Sequence, residues 1–157
     1  MNVENDPVSL EQAMYSLDSL FWKEAIDNEM QSITQNHTWD LADLPPACKP
    51  IGCRWIFRKK LRPDGTIDKY KARLVAKGYT QKFGIDYFDV YAHVARITTI
   101  RVLIAFAAIY NLHIHQMDVK TAFLNGDLHE EIYMEQPEGF VVKGQENKVC
   151  RLRKSLY

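Results

Sequence analysis

Residues 51–76 read IGCRWIFRKKLRPDGTIDKYKARLVA, two strand-like runs on either side of Arg62, Pro63, Asp64 and Gly65. Proline presets the first position of a turn, and glycine takes the positive φ that closes it. A three-residue loop with a bulge at Gly65 predicts Leu61 opposite Ile67. Counting back from that pair places Lys60 opposite Asp68, Phe57 opposite Lys71 and Trp55 opposite Arg73. Opposite charges, and a cation over a ring, are both favourable cross-strand neighbours.

The same stretch carries most of the positive charge. Residues 48–82 hold eleven Lys and Arg against two acids, whereas residues 1–47 hold one against nine and residues 83–157 hold eight against nine. The formal net charge of zero therefore hides one strongly basic element, the footprint of a surface that follows a phosphate backbone. On charge alone a solvated, Lys-rich hairpin accounts for it slightly better.

Upstream, Ser9 and Gln12 have the spacing of a capping box, and Ser19 opens a longer run in which Trp22, Ile26, Met30 and Ile33 share one helical face. Asn36 is the expected stop, and Pro45 with Pro46 marks the loop into the basic element. Downstream, Thr98–Tyr110 turns helical, with Val102, Leu103, Phe106, Ile109 and Tyr110 on an apolar face and Thr98 or Thr99 as its cap. Residues 113–119 then alternate, placing Ile114, Gln116 and Asp118 on one face of a strand and His113, His115 and Met117 on the other. Asn125, Gly126 and Asp127 mark a turn, Glu131–Glu135 and Lys148–Leu152 read as short strands, and Lys154 starts a helical element within which Tyr157 falls. That last feature leads us to expect a fragment.

Composition narrows the class. The chain has 157 residues, a length typical of one domain. Its longest apolar run, Val102–Ile109, is far short of the roughly 20 residues of a membrane helix, so no membrane partner is expected. The acidic, polar N-terminus is unlike a secretion signal, which points to an intracellular protein of unassigned compartment. Cys48, Cys53 and Cys150 are odd in number and lack a partner pair at zinc-ligand spacing, so reduced thiols are expected. His113 and His115 share a strand face without a third ligand, and we read no metal site there.

Three stretches together resemble the copia-type retrotransposon reverse transcriptases: Lys49–Lys59, Tyr70–Lys82, and Gln116–Asp127 with its Gln-Met-Asp-Val-Lys-Thr-Ala-Phe-Leu-Asn-Gly run. The resemblance extends from about Trp22 to Tyr157. It implies an α+β chain with a partial right-hand polymerase fold, namely a fingers hairpin and the first part of an antiparallel palm sheet backed by helices. Residues 1–47 would be an N-terminal helical segment, 48–82 the basic fingers hairpin and 83–157 the first palm segment.

What the resemblance implies for the site follows residue by residue. Asp118 would be the first catalytic carboxylate and a Mg²⁺ ligand in the complete enzyme, with the carbonyl of Val119 as a second contact, because hard cations favour oxygen donors. Phe123 would stand beneath the incoming sugar, and Thr121 and Ala122 would line the same nucleotide site. Lys71 and Arg73 are the candidates for holding the triphosphate, with either able to make that contact. Implied partners are an RNA or RNA–DNA template–primer, dNTPs and the remaining reverse transcriptase and RNase H portion of a Pol polyprotein. No Tyr-Val-Asp-Asp, and no adjacent Asp pair, occurs in the 157 residues, so a lone chain is expected to be catalytically incomplete. The alternative is a non-catalytic nucleic-acid-binding remnant or domesticated module that uses the basic hairpin.

Overall fold

A computed structural model describes residues 5–46, 48–81, 96–117, 124 and 126–156. It is a mixed α/β chain with small antiparallel sheets. Helix α1 spans Leu10–Tyr15 and α2 Ser19–Gln35; strands β1 (Trp39–Ala42), β2 (Cys53–Leu61) and β3 (Ile67–Ala76) follow. A 3-10 turn at Gly78–Thr80, helix α3 (Ile97–Ile109) and strands β4 (Tyr133–Met134) and β5 (Val149–Leu152) complete the order.

Local chemistry sets the helix ends. Ser9 caps α1 by accepting the Gln12 N–H at 3.1 Å, while the Gln12 side chain returns to the N–H of Val8 at 2.8 Å, one residue before the cap. In α2 the residues Trp22, Ile26 and Ile33 are buried, as their spacing predicts. Asn36 is its C-cap, but the left-handed residue that turns the chain is His37, with φ of 50°.

Strands β2 and β3 form one antiparallel pair, and β1, β5 and β4 form a second sheet in that order. The β1 strand pairs with β5 from Trp39 opposite Leu152 to Ala42 opposite Val149. It was not predicted, because four residues give little periodicity and the partner lies over a hundred positions away. Ile51 joins the two sheets: its N–H donates to the Tyr133 carbonyl at 2.8 Å, and its carbonyl accepts the Glu135 N–H at 2.9 Å. The core between them contains Trp22, Ile26, Ile33, Trp55, Phe57, Leu74, Met134 and Leu152.

The hairpin corrects the expected register. Leu61 does face Ile67, but a bulge between Lys60 and Leu61 shifts the ladder by one. Lys60 therefore faces Lys69, Phe57 faces Ala72 and Trp55 faces Leu74. Burial explains the choice. Directly opposed residues share a face, so the unbulged register would force Lys71 and Arg73 into the core beside Phe57 and Trp55. One extra residue places Ala72 and Leu74 there instead and turns the cations outward. Asp68 pairs with Arg62 at 3.3 Å rather than with Lys60.

Three further expectations differ. Helix α3 begins at Ile97 with Arg96 at its N-cap and no side-chain cap bond, so neither Thr98 nor Thr99 caps it. Residues 112–117 form no strand and are exposed. A strand needs a ladder partner, and none runs beside them among the described residues. Lys154 forms an isolated bridge to Asp127 rather than starting a helix, which closes the chain against the turn at Gly126.

Candidate nucleic-acid interface

The sequence of β2 alternates cation and apolar residue, and in a strand that alternation sorts side chains by face. Trp55 and Phe57, with Ala72 and Leu74 from β3, face inward and are buried. Arg54, Ile56, Arg58 and Lys60 face outward, opposite Val75, Arg73, Lys71 and Lys69 in that order. Six cations thus share one face of a two-stranded ribbon. A groove of about 860 Å³ runs along it, lined by Arg54, Arg58, Lys60, Lys71 and Arg73 together with Asp6, Pro7 and Val8 of the N-terminal arm.

The inner face packs the ribbon against α2. Trp22 meets Phe57 and Tyr70 edge-on, at ring-centroid distances of 5.5 and 4.7 Å, and Phe21 stacks on Tyr70 at 5.0 Å. Lys59, the one cation of β2 on this side, pairs with Asp18 at 2.9 Å and lies 5.8 Å from the Tyr70 ring centre. The hydrogen bond from Lys59 holds the Asp18 carboxyl below its usual range. Burial and the bond to Asp18 push the Tyr70 phenol up. At the base of the hairpin, the Trp55 indole donates to the Glu138 carbonyl at 3.1 Å.

Crowding gives the outer face its chemistry. The Lys71 ammonium is pushed below its usual value, first by burial and then by Lys60, Arg73 and Lys69 around it. A group of like charges in partial burial is relieved by an anion, and a phosphate oxygen is the matching partner. Glu29 of α2 stands on the inner side of β3, where the Leu74 N–H donates to its carboxylate. Burial raises its pKa, while Arg73 and Lys71 work against that rise.

Of the predicted site residues, Lys71 and Arg73 fall two positions apart on the outer face of β3. Asp118, Val119, Thr121, Ala122 and Phe123 lie outside the described residues. His113 and His115 are exposed, and no group of three or more His, Cys, Asp or Glu suited to a metal occurs among the described residues. The three cysteines are free thiols, with burial pushing Cys53 up to about 11 and Cys150 up to about 12, so neither is a reactive thiolate near neutrality. No helix among the described residues is long and apolar enough to cross a membrane. Counting charge located the hairpin but not Arg54, Arg58, Lys60 and Lys69 as one face with Lys71 and Arg73. The period-two alternation of residues 54–60 is the signal that does.

Comparison with known proteins places these features in a family. The reverse transcriptase (RNA-dependent DNA polymerase) family matches residues 36–157. The chain is 45% identical, over 98% of its length, to the retrovirus-related Pol polyprotein from transposon TNT 1-94 of Nicotiana tabacum, of which it covers 12%. It is 48% identical over 87% of its length to the Pol polyprotein from transposon RE2 of Arabidopsis thaliana, covering 9% of that protein. For the transposon RE1 polyprotein of the same plant the identity is 46% over 92% of the chain and 10% of the relative. The chain thus spans about a tenth of the length of these curated relatives. No solved structure matches it. With more than three-quarters of its residues inside the family match, the chain belongs to the reverse transcriptase family.

Proposed function

We propose that the chain supplies the fingers and first palm portion of a copia-type reverse transcriptase, and that the outer face of β2 and β3 contacts the phosphates of nucleotide or nucleic acid. Residues 1–47 form the N-terminal helical segment in this reading, 48–82 the fingers hairpin and 83–157 the first palm segment of a right-hand polymerase fold. The carrying observation is the bulge, which turns Lys71 and Arg73 out of the core and onto a face with four more cations. Lys71 or Arg73 holds the triphosphate; Thr121, Ala122 and Phe123 line the nucleotide site, with Phe123 beneath the sugar.

Asp118 is the proposed catalytic carboxylate, with Val119 beside it. In the complete enzyme Asp118 and Val119 would help to hold Mg²⁺, whose chemistry there would be charge stabilisation for nucleotidyl transfer. The oxygen donors of Asp118 and Val119 suit a hard cation, but one side-chain carboxylate falls short of a two-metal clamp. These residues alone are therefore assigned no metal-dependent step. The proposal follows that the 157 residues by themselves do not polymerise. Incorporation of labelled dNTP on a primed RNA template, abolished by Asp118→Ala, would overturn it.

Phosphate contact is tested separately, by fluorescence anisotropy with a labelled single strand of about 12 nucleotides, within the usual range of site sizes. Lys71→Ala with Arg73→Ala is expected to weaken binding and to lower the slope of log affinity against log salt by about 1.4, the single-strand value for two lost phosphate contacts. An unchanged slope would remove the groove from the reading. A second reading, a non-catalytic binding module, is favoured by the six cations that β2 and β3 place on one face. Binding without incorporation is its signature.

A further inference from the structure

Among the residues lining the groove there is one carboxylate, Asp6, against five cations. Its position is fixed. Asp6 Oδ1 accepts the backbone N–H of Lys59 at 2.9 Å, which sets the carboxylate along the free edge of β2, level with Arg58 and Lys60. The chain that follows it is held in turn: Pro7 is buried, the Val8 N–H donates to Gln12 Oε1 at 2.8 Å, and Ser9 caps α1. An arm tied in this way does not swing aside at little cost.

A phosphate over the groove therefore meets two different walls. Along the β2 edge, Arg58 and Lys60 attract it, but the fixed charge of Asp6 opposes it. One strand away, over β3, Lys71 and Arg73 attract it from about 5 Å farther from that carboxylate, the ordinary spacing between strands. We propose that Asp6 is a specificity-determining residue of the groove, a fixed negative charge that steers phosphate off the β2 edge and onto Lys71 and Arg73. The proposal rests on the reading of the groove as a phosphate-binding surface.

The test uses the 157-residue chain and a labelled oligothymidylate of about 12 nucleotides. Asp6→Asn keeps the oxygen that accepts the Lys59 N–H and removes only the charge. It is expected to tighten binding about fivefold, the order of one unit charge a few ångströms from a phosphate in water. In that background Lys71→Ala and Arg73→Ala should each cost less affinity than in the wild type, because the strand then spreads onto Arg58 and Lys60. Asp6→Glu keeps the charge and should bind as the wild type does. Equal affinity of wild type and Asp6→Asn, where the wild type binds through Lys71 and Arg73, would overturn the role of Asp6 and leave the groove intact. Tightening by Asp6→Glu as large as by Asp6→Asn would overturn it too, since a loosened arm would then be the cause. Absence of binding by every variant would overturn the groove and Asp6 together.

Discussion

In α2 the residues Trp22, Ile26 and Ile33 are buried, whereas in α3 Val102, Leu103, Phe106 and Ile109, with Tyr110 at its C-cap, are each half or more exposed, and only Ala107 of the helix is buried. Both helices are apolar enough to demand a partner. For α2 the partner is the inner face of the hairpin, where Phe57, Ala72 and Leu74 meet it. No described element plays that part for α3. A helical apolar period states that a face should be covered; it does not state by what, and only long-range packing supplies the answer.

The largest expected effect comes from striking each helix in turn. Trp22→Ala removes a fully buried ring between Phe57 and Tyr70 and should cost about 3–5 kcal/mol in a chemical denaturation series. Leu103→Ala, at a residue 63% exposed, should stay within about 0.5 kcal/mol. Comparable losses for the two would break the comparison, because α3 would then have a packed face in solution.

Glycines offer a smaller contrast. Gly139 has φ of 83°, and a Cβ there would lie 2.7 Å from Leu10 Cδ2, so the turn that follows Pro137 is closed against α1. Gly139→Ala should destabilise by about 1–2 kcal/mol from the left-handed backbone alone. Gly126, with ordinary φ and open space around it, should accept alanine with little change in melting temperature.

The hairpin also shows how far the sequence could be read. Leu61 opposite Ile67 follows from Pro63 and Gly65 alone, since turn chemistry is local. The bulge next to that pair is not local. It answers to the apolar surface of α2, which admits Ala72 and Leu74 but not two cations, and nothing within residues 51–76 states that surface. The β1 strand was missed for the same reason, its ladder being with β5 at the far end of the chain. In the candidate site, Lys71 and Arg73 were legible as charge, and their shared face became visible once the register was known. Asp118 and Phe123 rest on family resemblance, because an Asp or a Phe carries no signature apart from its surroundings.

Acid should loosen the packed region through the ion pair that anchors it. The folded-state pKa of Asp18 is lowered, chiefly by its bond to Lys59, whose side chain is only 6% exposed. A depressed carboxyl contributes stability that is fully present above its unfolded value, 3.8, and is lost as pH falls below it through the folded value. The melting temperature of the wild type should therefore drop on acidification through that range, and Asp18→Asn should flatten the drop. A wild-type profile that is flat there would show that Lys59 is anchored by its other contacts.

Glu29 carries the opposite sign and the smallest effect. Its Oε1 is buried without a hydrogen-bond partner, and burial raises its pKa above 4.5 despite the nearby Arg73 and Lys71. A carboxyl raised on folding binds its proton more tightly in the native state, so its contribution falls as pH rises from 4.5 through the folded value and then levels off. Glu29→Gln retains an oxygen for the Leu74 N–H and has no charge to bury. It should raise stability at neutral pH by a few tenths of a kcal/mol, the size of a modest change in one partly satisfied polar group. Below 4.5 the gain should vanish, because the wild-type side chain is then already neutral. A loss on Glu29→Gln at neutral pH would instead mean that the carboxylate's attraction to Lys71 and Arg73 outweighs its burial. Glu29 would then belong to the same charge balance as Asp6, on the opposite side of the ribbon.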